Sequence, residues 1–309
     1  MTRRPEITLT QLRYFIEAAQ CLSMTQAAAH LLVAQSAVSA AVAQLEAQVG
    51  AQLFIRQRSK GLVLTAAGQQ LVGDARVLMA NLDEALDAAR GLDNQVRGTV
   101  RLACFVTLAP FILPAIVSRV QEEYPHLVVE VEELDSEGTR DALRTGRAEL
   151  AVGYDFAFGD DIRKEVVGEA PAHIVLPVGH PLAARSRIPL RELARERMIL
   201  LDLPHSREYF LAILAGVGVE PDIRHRSESY ETVRSFVAQG HGFSILNQRP
   251  VSDTTYDGHT VVTRPIADEV PALSMVLATL KSVRTTARAR AVGEIIRVVV
   301  AERSQALAH

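Results

Sequence analysis

The sequence predicts an α+β multidomain chain: an N-terminal all-α winged helix-turn-helix, a long linker helix, and a C-terminal α/β domain built as two subdomains. Three observations carry this reading. Residues 23–32 and 35–49 read as two short amphipathic helices joined by a tight turn, the second opening on Gln35 and Ser36. Residues 65–93 keep helical spacing of apolar residues and contain no proline. From Gly98 onward, short apolar strands alternate with amphipathic helices, the pattern of layered α/β structure.

The head begins with a helix expected to run from a Thr10 cap through Leu12, Phe15, Ile16 and Ala19, which repeat at helical spacing. In the helix over 35–49, Val38, Val42, Leu45 and Val49 form the stripe expected to pack inward. Ser36, Ala40, Ala43 and Ala47 take the opposite face, with Gln35 and Ser39 near the start. The second helix of such a pair must lie in a DNA major groove to read bases. Gly61 then marks the turn of a hairpin wing between Arg56-Gln57-Arg58-Ser59-Lys60 and Leu62-Val63-Leu64.

Charge supports a head that meets phosphate. The whole chain is near neutral, with 33 basic and 36 acidic residues. Residues 1–64, however, hold Arg3, Arg4, Arg13, Arg56, Arg58 and Lys60 against Glu6, Glu17 and Glu46, a net +3, while residues 65–96 carry a net −3. A basic end on an acidic body concentrates phosphate attraction there, and so small an excess calls for two heads on one site. In the linker, Leu71, Ala75, Leu78, Leu82, Ala85, Ala89 and Leu92 alternate four-three spacings, widened by Val72, Met79 and Leu86. That is a coiled-coil seam for pairing two copies. The plainer alternative is a helix lying on its own domain.

Cys21 and Cys104 sit in apolar segments far apart, and both are expected to be reduced thiols acting as small hydrophobes. The basic start Met1-Thr2-Arg3-Arg4-Pro5 is followed by no apolar run, and Leu102–Val117 is broken by Pro110 and Pro114. A soluble cytoplasmic protein is the expectation.

The C-terminal part reads as strand Val100–Phe105, helix Ala109–Glu123, strand Leu127–Glu133, helix Glu137–Thr145 and strand Leu150–Gly153. A second set follows: strands His173–Pro177 and Met198–Leu201, helix Arg207–Ala215, strand Ile223–Ser227, helix Tyr230–Gln239 and strand Phe243–Leu246. Val270–Leu280 and a closing helix Thr285–Glu302 are expected to return to the first subdomain. The alternation argues for parallel sheets with helices on both faces.

The block Ser23-Met24-Thr25-Gln26-Ala27-Ala28-Ala29-His30-Leu31-Leu32, then Gln35-Ser36-Ala37-Val38-Ser39, resembles the winged helix of LysR-type transcriptional regulators. The segments Val49-Gly50-Ala51-Gln52-Leu53-Phe54-Ile55-Arg56 and Leu64-Thr65-Ala66-Ala67-Gly68 continue the resemblance, which is specific over residues 8–68 and diffuse beyond. That family carries a periplasmic-binding-protein-like effector domain. Val178-Gly179-His180-Pro181-Leu182-Ala183 is similar to a segment frequent there, with His180 read as a turn residue.

The resemblance implies a sequence-specific DNA-binding transcriptional regulator controlled by a small molecule held between two α/β subdomains. It implies double-stranded promoter DNA and RNA polymerase as partners, a homodimer through the 66–93 helix, and pairing of dimers into a homotetramer. The corresponding divisions are a head over 1–65, a linker over 66–96 and an effector domain over 97–309. Within the last, one subdomain takes about 97–168 and 269–309 and the other about 169–268. The family pattern often has proline where Ala37 stands and a long polar residue where Ala40 stands. Either Ala40 and Ala43 touch thymine methyls, or discrimination leans on DNA shape and the wing.

Candidate DNA contacts are therefore Gln35, Ser36, Ser39 and Ala40, with Arg56, Arg58 and Lys60 from the wing. In two-lobed domains, ligands sit at strand C-termini and helix N-termini. That rule selects Thr107, Tyr154, Asp155, Ser206, Arg207, Ser229, Tyr230, Asn247 and Gln248, with Phe156 and Phe158 as candidates for an apolar wall. Each hydroxyl has an equal plain use as a helix cap. Arg207 opposes the dipole of its helix, so an anionic group is expected nearby: Asp155, Asp202 or a carboxylate ligand.

No hydrolase, kinase or dinucleotide motif is present, and the nine histidines lack metal-ligand spacing, with His225 and His241 read as surface residues. No catalytic residue, metal or cofactor is expected. An active or degenerate enzyme fused to a DNA-binding head is one alternative, and a solute-binding protein is the other. The intact head and the missing leader argue against the latter.

Overall fold

The computed structural model of the chain describes residues 6–57, 61–89, 96–155 and 158–308. Helix α1 spans Leu9–Cys21, α2 Met24–Leu31 and α3 Gln35–Val49. The cap of α1 is Thr8 rather than Thr10: its hydroxyl accepts from Gln11 N while the Gln11 side chain accepts from Thr8 N. The reciprocal pair satisfies two donors that Thr10, already helical, could not reach.

The three helices close over Phe15, Val38, Val42, Leu45 and Leu53, all nearly inaccessible to water. Val49, expected to complete the inward stripe of α3, is instead 39% exposed, because the helix ends on it and Gly50 turns the chain away at φ +74°. Strands β1 (Phe54–Gln57) and β2 (Gly61–Leu64) pair antiparallel as the wing. The Glu46 carboxylate anchors the wing to α3 by accepting from Leu53 N at 2.7 Å and Phe54 N at 3.2 Å.

Helix α4, Ala66–Ala89, starts on Thr65, whose hydroxyl donates to Gln52 O and accepts from Gly68 N. Its first turns belong to the head: Val72 and Ala75 are buried there and Leu71 packs beside them. Its next face meets the body. Arg76 is buried and donates to Thr145 O at 2.8 Å, and a Cβ on Gly73 would stand 2.8 Å from Arg144 O. Burial, with the charges of Arg101 and Arg147, lowers the Arg76 guanidinium to about 10, so it stays charged at neutral pH.

The body contains β3 (Gly98–Phe105), α5 (Ala109–Glu123), β4 (Leu127–Leu134), α6 (Ser136–Arg144), β5 (Leu150–Tyr154) and β6 (Ile162–Ala170). It continues with β7 (His173–Pro177), β8 (Arg197–Leu201), α7 (Ser206–Gly216), β9 (Asp222–Ser227), α8 (Tyr230–Ala238) and β10 (Ser244–Leu246). Strands β11 (Val261–Pro265) and β12 (Leu273–Leu280) precede the closing helix α9 (Ala287–Ala308).

The first sheet has the order β4-β3-β5-β12-β6, and the second groups β10-β7-β11 with the parallel pair β8-β9 through a Met198–Phe243 bridge. These sheets are mixed, not parallel: β12 runs antiparallel to β5 and β6, and β7 is antiparallel to β10 and β11. The cause is the chain's two crossings, 170–173 and 265–273. The strand that returns from the other lobe enters with reversed direction. Strands β6 and β11 were not legible as strands, and β6 explains itself: it is an edge strand, largely exposed, bearing Arg163, Lys164 and Glu165.

His173 opens β7 beside the first crossing. Burial, with the charge of Arg249 next, pushes its imidazole down to about 3 from 6.5. The folded state therefore binds fewer protons than the unfolded one between those values. Stability is full above pH 6.5 and is lost as pH falls through that window. His173 keeps part of its surface, so we expect a loss of about 1–2 kcal/mol between pH 7 and 5, absent in His173→Asn. Urea denaturation at the two pH values checks it; equal slopes for both proteins would assign the acid sensitivity elsewhere.

Candidate DNA interface and effector cleft

The start of α3 is exposed and chemically open. Ala34 caps it with no side-chain hydrogen bond, so its first-turn N–H groups are not capped by a side chain. Gln35 Nε2 donates to Ser39 Oγ at 2.7 Å, which lays both polar ends along one helix face. Ser36 and Ala40 are exposed and Ser39 is half-buried on the same end of the helix. Ala37, Ala43 and Ala47 are also exposed, so the projecting face of α3 is smooth and mostly methyl. Leu32, in the turn before α3, is 93% exposed with a left-handed φ of +56°. Arg56 lies in β1, and Arg58 and Lys60 fall outside the described residues.

In the body, a cluster forms where the two sheets face each other. Thr107 follows β3, Tyr154 ends β5, Ser206 and Phe210 belong to α7, Tyr230 opens α8, and Asn247 and Gln248 follow β10; Leu201 and Leu273 complete the wall. Thr107, Tyr154, Ser206, Asn247 and Gln248 are each at most 6% exposed. Thr107, Tyr154 and Gln248 are linked to one another by hydrogen bonds. Gln248 Nε2 donates to Tyr154 Oη at 3.1 Å, Tyr230 Oη donates to Gln248 O at 2.5 Å, and Thr107 bonds Tyr154. Asn247 Nδ2 donates to Ala170 O and Tyr209 Oη, tying the site to the first crossing. Burial raises both the Tyr154 and Tyr230 phenols, so both remain protonated donors at physiological pH.

The cavity inside this cluster is about 10 Å³, room for about one water molecule. The lobes stand closed on their own polar groups, and a larger ligand must part them. Besides the Gln248–Tyr154 hydrogen bond, the closure is crossed by Arg303 Nε donating to Gln248 Oε1, Tyr209 Oη donating to Pro271 O, Ser136 Oγ donating to Pro204 O at 3.1 Å, and the Phe111 and Tyr230 rings, which meet edge to face. Two other hollows, of about 40 and 630 Å³, lie where α4 and the head meet the first lobe. Neither draws polar groups from both lobes at strand ends, the arrangement that marks a ligand cleft.

Three expected cleft residues are engaged elsewhere. Asp155 pairs with Lys164 at 2.6 Å. Ser229 caps α8 by accepting from Thr232 N. Arg207 finds its anionic neighbours in Asp202 at 3.1 Å and Glu208 at 3.2 Å, so Asp202 rather than Asp155 is its expected counter-charge. Phe158 packs with Ala103 and Leu143 on another face, and Phe156 is outside the described residues. Arg303 on α9 was not foreseen: its Nε donates to Gln248 Oε1 at 3.0 Å and it lies over the Phe111 ring. No local signal 55 residues away from Gln248 announces it.

The surroundings of the cleft hold a backbone strain. His205, the residue before α7, has φ +65°, an uncommon conformation for a non-glycine residue. It sets Ser206 in the cleft wall.

Among the described residues no single helix is long and apolar enough to cross a membrane. Two family models match the chain: "Bacterial regulatory helix-turn-helix protein, lysR family" over residues 9–69 and "LysR substrate binding domain" over residues 93–301. The chain is 30% identical over 287 residues to a probable hydrogen peroxide-inducible genes activator of Streptomyces viridosporus, covering 89% of each. Among solved structures it is similar to HinK, a LysR family transcriptional regulator from Pseudomonas aeruginosa, at 34% identity and TM-score 0.65, covering 96% of this chain and 100% of that one. Full-length OxyR from Pseudomonas aeruginosa, in a cysteine-to-aspartate form, matches at 25% identity and TM-score 0.75, covering 98% of this chain and 100% of that one.

Proposed function

This chain belongs to the LysR family of transcriptional regulators, DNA-binding proteins with an effector-binding domain, and on that premise we propose that a small polar effector enters between its two lobes. The observation that carries the reading is the convergence of Thr107, Tyr154, Ser206, Tyr230, Asn247 and Gln248 from both lobes on one buried point. Hydroxyl, phenol and amide groups suit a hydroxylated or carboxylated metabolite, with Arg303 behind Gln248 as the nearest cation bonded to the cluster. The lobes are 97–168 with 269–309, and 169–268; the head is 1–65 and the linker 66–96.

Gln35, Ser36, Ser39 and Ala40 would face the major groove, and Arg56, Arg58 and Lys60 the adjoining phosphates. Two heads pair through the exposed part of α4, dimers associate into a tetramer on promoter DNA in the cytoplasm, and the bound assembly meets RNA polymerase. Helix α6 connects cleft to linker: its first residue, Ser136, bonds Pro204 across the cleft, and just past its end the Thr145 carbonyl accepts from Arg76 of α4, where Gly73 allows a close approach to Arg144 O. Opening the lobes breaks the first contact and shifts the second.

A peroxide response like that named for several relatives has no thiol to use in this cleft. Cys104 is fully buried in β3, where burial pushes its thiol well up, and Cys21 is in the head. A thermal-shift screen against metabolites tests the proposal. A ligand at 100 times its dissociation constant adds about 2.7 kcal/mol, and Thr107→Ala with Ser206→Ala is expected to remove most of that gain. Equal stabilisation of parent and double variant would move the site.

A further inference from the structure

Glu17 and Cys21 stand four residues apart on α1 and so share one face. His30, in the last turn of α2, crosses to meet them. Its Nδ1 lies 2.8 Å from Glu17 Oε1 and 3.5 Å from Cys21 Sγ, while Cys21 Sγ lies 3.6 Å from Glu17 Oε1. We propose that these three side chains form a zinc-binding site in the DNA-binding head, which nothing in the effector reading requires.

The triangle has the right size. Metal–ligand lengths of about 2.0–2.3 Å at a tetrahedral centre set sulfur about 3.5 Å from a neighbouring nitrogen or oxygen, and nitrogen about 3.3 Å from oxygen. Both sulfur edges already match. The nitrogen–oxygen edge, now a hydrogen bond, needs to open by about 0.5 Å. The His30–Glu17 ion pair and the i,i+4 hydrogen bond from Cys21 Sγ to Glu17 Oε1 hold the same triangle without a metal, and titration with Zn²⁺ separates the two readings. One thiolate, one imidazole and one carboxylate are the mixed donor set of a borderline cation, which favours zinc over magnesium or calcium.

Access and consequence follow from position. The His30 side chain is 65% exposed and Glu17 22%, so the site opens at the surface. The three ligands tie α1 to α2 across Leu22, whose φ is +47°, and α3 packs on both helices. A metal there stiffens the frame that presents the recognition helix, and metal binding becomes folding free energy of the head. Sequence spacing hid the site, because one pair comes from a helix face and the third ligand from its neighbour.

The test uses the tag-free full chain stripped by chelator. Calorimetric titration with Zn²⁺ is expected to show one site, weakened at least about tenfold by Cys21→Ser and by His30→Ala, and unchanged by His225→Ala. Co²⁺ should give a thiolate charge-transfer band that Cys21→Ser abolishes. Zinc should also raise the thermal midpoint of the parent and not of His30→Ala, whose exposed position keeps the fold intact, as circular dichroism would verify. No zinc binding, or binding indifferent to both substitutions, overturns the proposal. Loss of effector response has no bearing on it, since the site and the cleft share no residue.

Discussion

Gly68→Ala is expected to destabilise the head by at least about 3 kcal/mol and to abolish DNA binding. Gly68 lies in the first turn of α4, and a Cβ there would stand 2.1 Å from the Leu53 carbonyl oxygen and 2.9 Å from Leu64 Cδ2. The backbone cannot retreat. Leu53 is pinned by Glu46 through its N–H, and the start of α4 is pinned by Thr65 to Gln52 O. The added methyl must break one of these ties, and both position the wing against α3. Gly50→Ala makes a useful contrast: its φ is +74° but no atom lies within 4 Å of the new Cβ. It should cost only the left-handed penalty of about 1–2 kcal/mol. Urea denaturation of the two variants checks the order, and a Gly68→Ala loss below that of Gly50→Ala would refute the steric account.

Leu78→Asp combined with Leu86→Asp is expected to leave a monomer whose affinity for a two-site operator falls at least about a hundredfold, the size of a lost avidity term. Leu78 is 49% and Leu86 44% exposed on a helix whose earlier apolar residues, Val72 and Ala75, are already buried in the head. Within one chain these leucines face water, so carboxylates there should not unfold it. At an interface between two copies they would bury charge without a partner, which is expensive. Sedimentation with an intact circular dichroism spectrum is the decisive pair of measurements. An unchanged oligomer would place the dimer contact on another surface.

The head was legible because its rules are local. Helical spacing, a hydroxyl before a helix and a glycine at its end need only neighbours in sequence. The motif glycines then acquire different physical reasons: Gly50 for its φ, Gly68 for the close approach of Leu53 O. The seam was half legible. Periodicity located Leu71, Val72, Ala75, Leu78, Leu82 and Leu86 on α4, but only packing shows that the first three are used by the head. Ala89 and Leu92 of that seam are not described at the side-chain level.

The cleft split in the same way. Thr107, Tyr154, Ser206, Tyr230, Asn247 and Gln248 were selected by their place at strand and helix ends, and the structure gathers those six. Asp155, Arg207 and Ser229 satisfied the same rule but found nearer partners in Lys164, Asp202 and Thr232 N. A positional rule sees the end of a strand and not the charge beside it. Long-range pairings such as Arg303 with Gln248, or β12 between β5 and β6, leave no local trace at all.

That placement of β12 orders events during synthesis. Residues 273–280 form the strand between β5 and β6, so the first sheet stays split until they leave the ribosome. About 100 residues separate the end of β6 from β12, an interval on the order of 5–20 s at ordinary elongation rates. Through it the nascent chain trails a finished head and linker behind a half-built sensor with open strand edges, the kind of edge that invites wrong pairing. A message cut short before residue 273 would thus release a DNA-binding head with no means of hearing its effector.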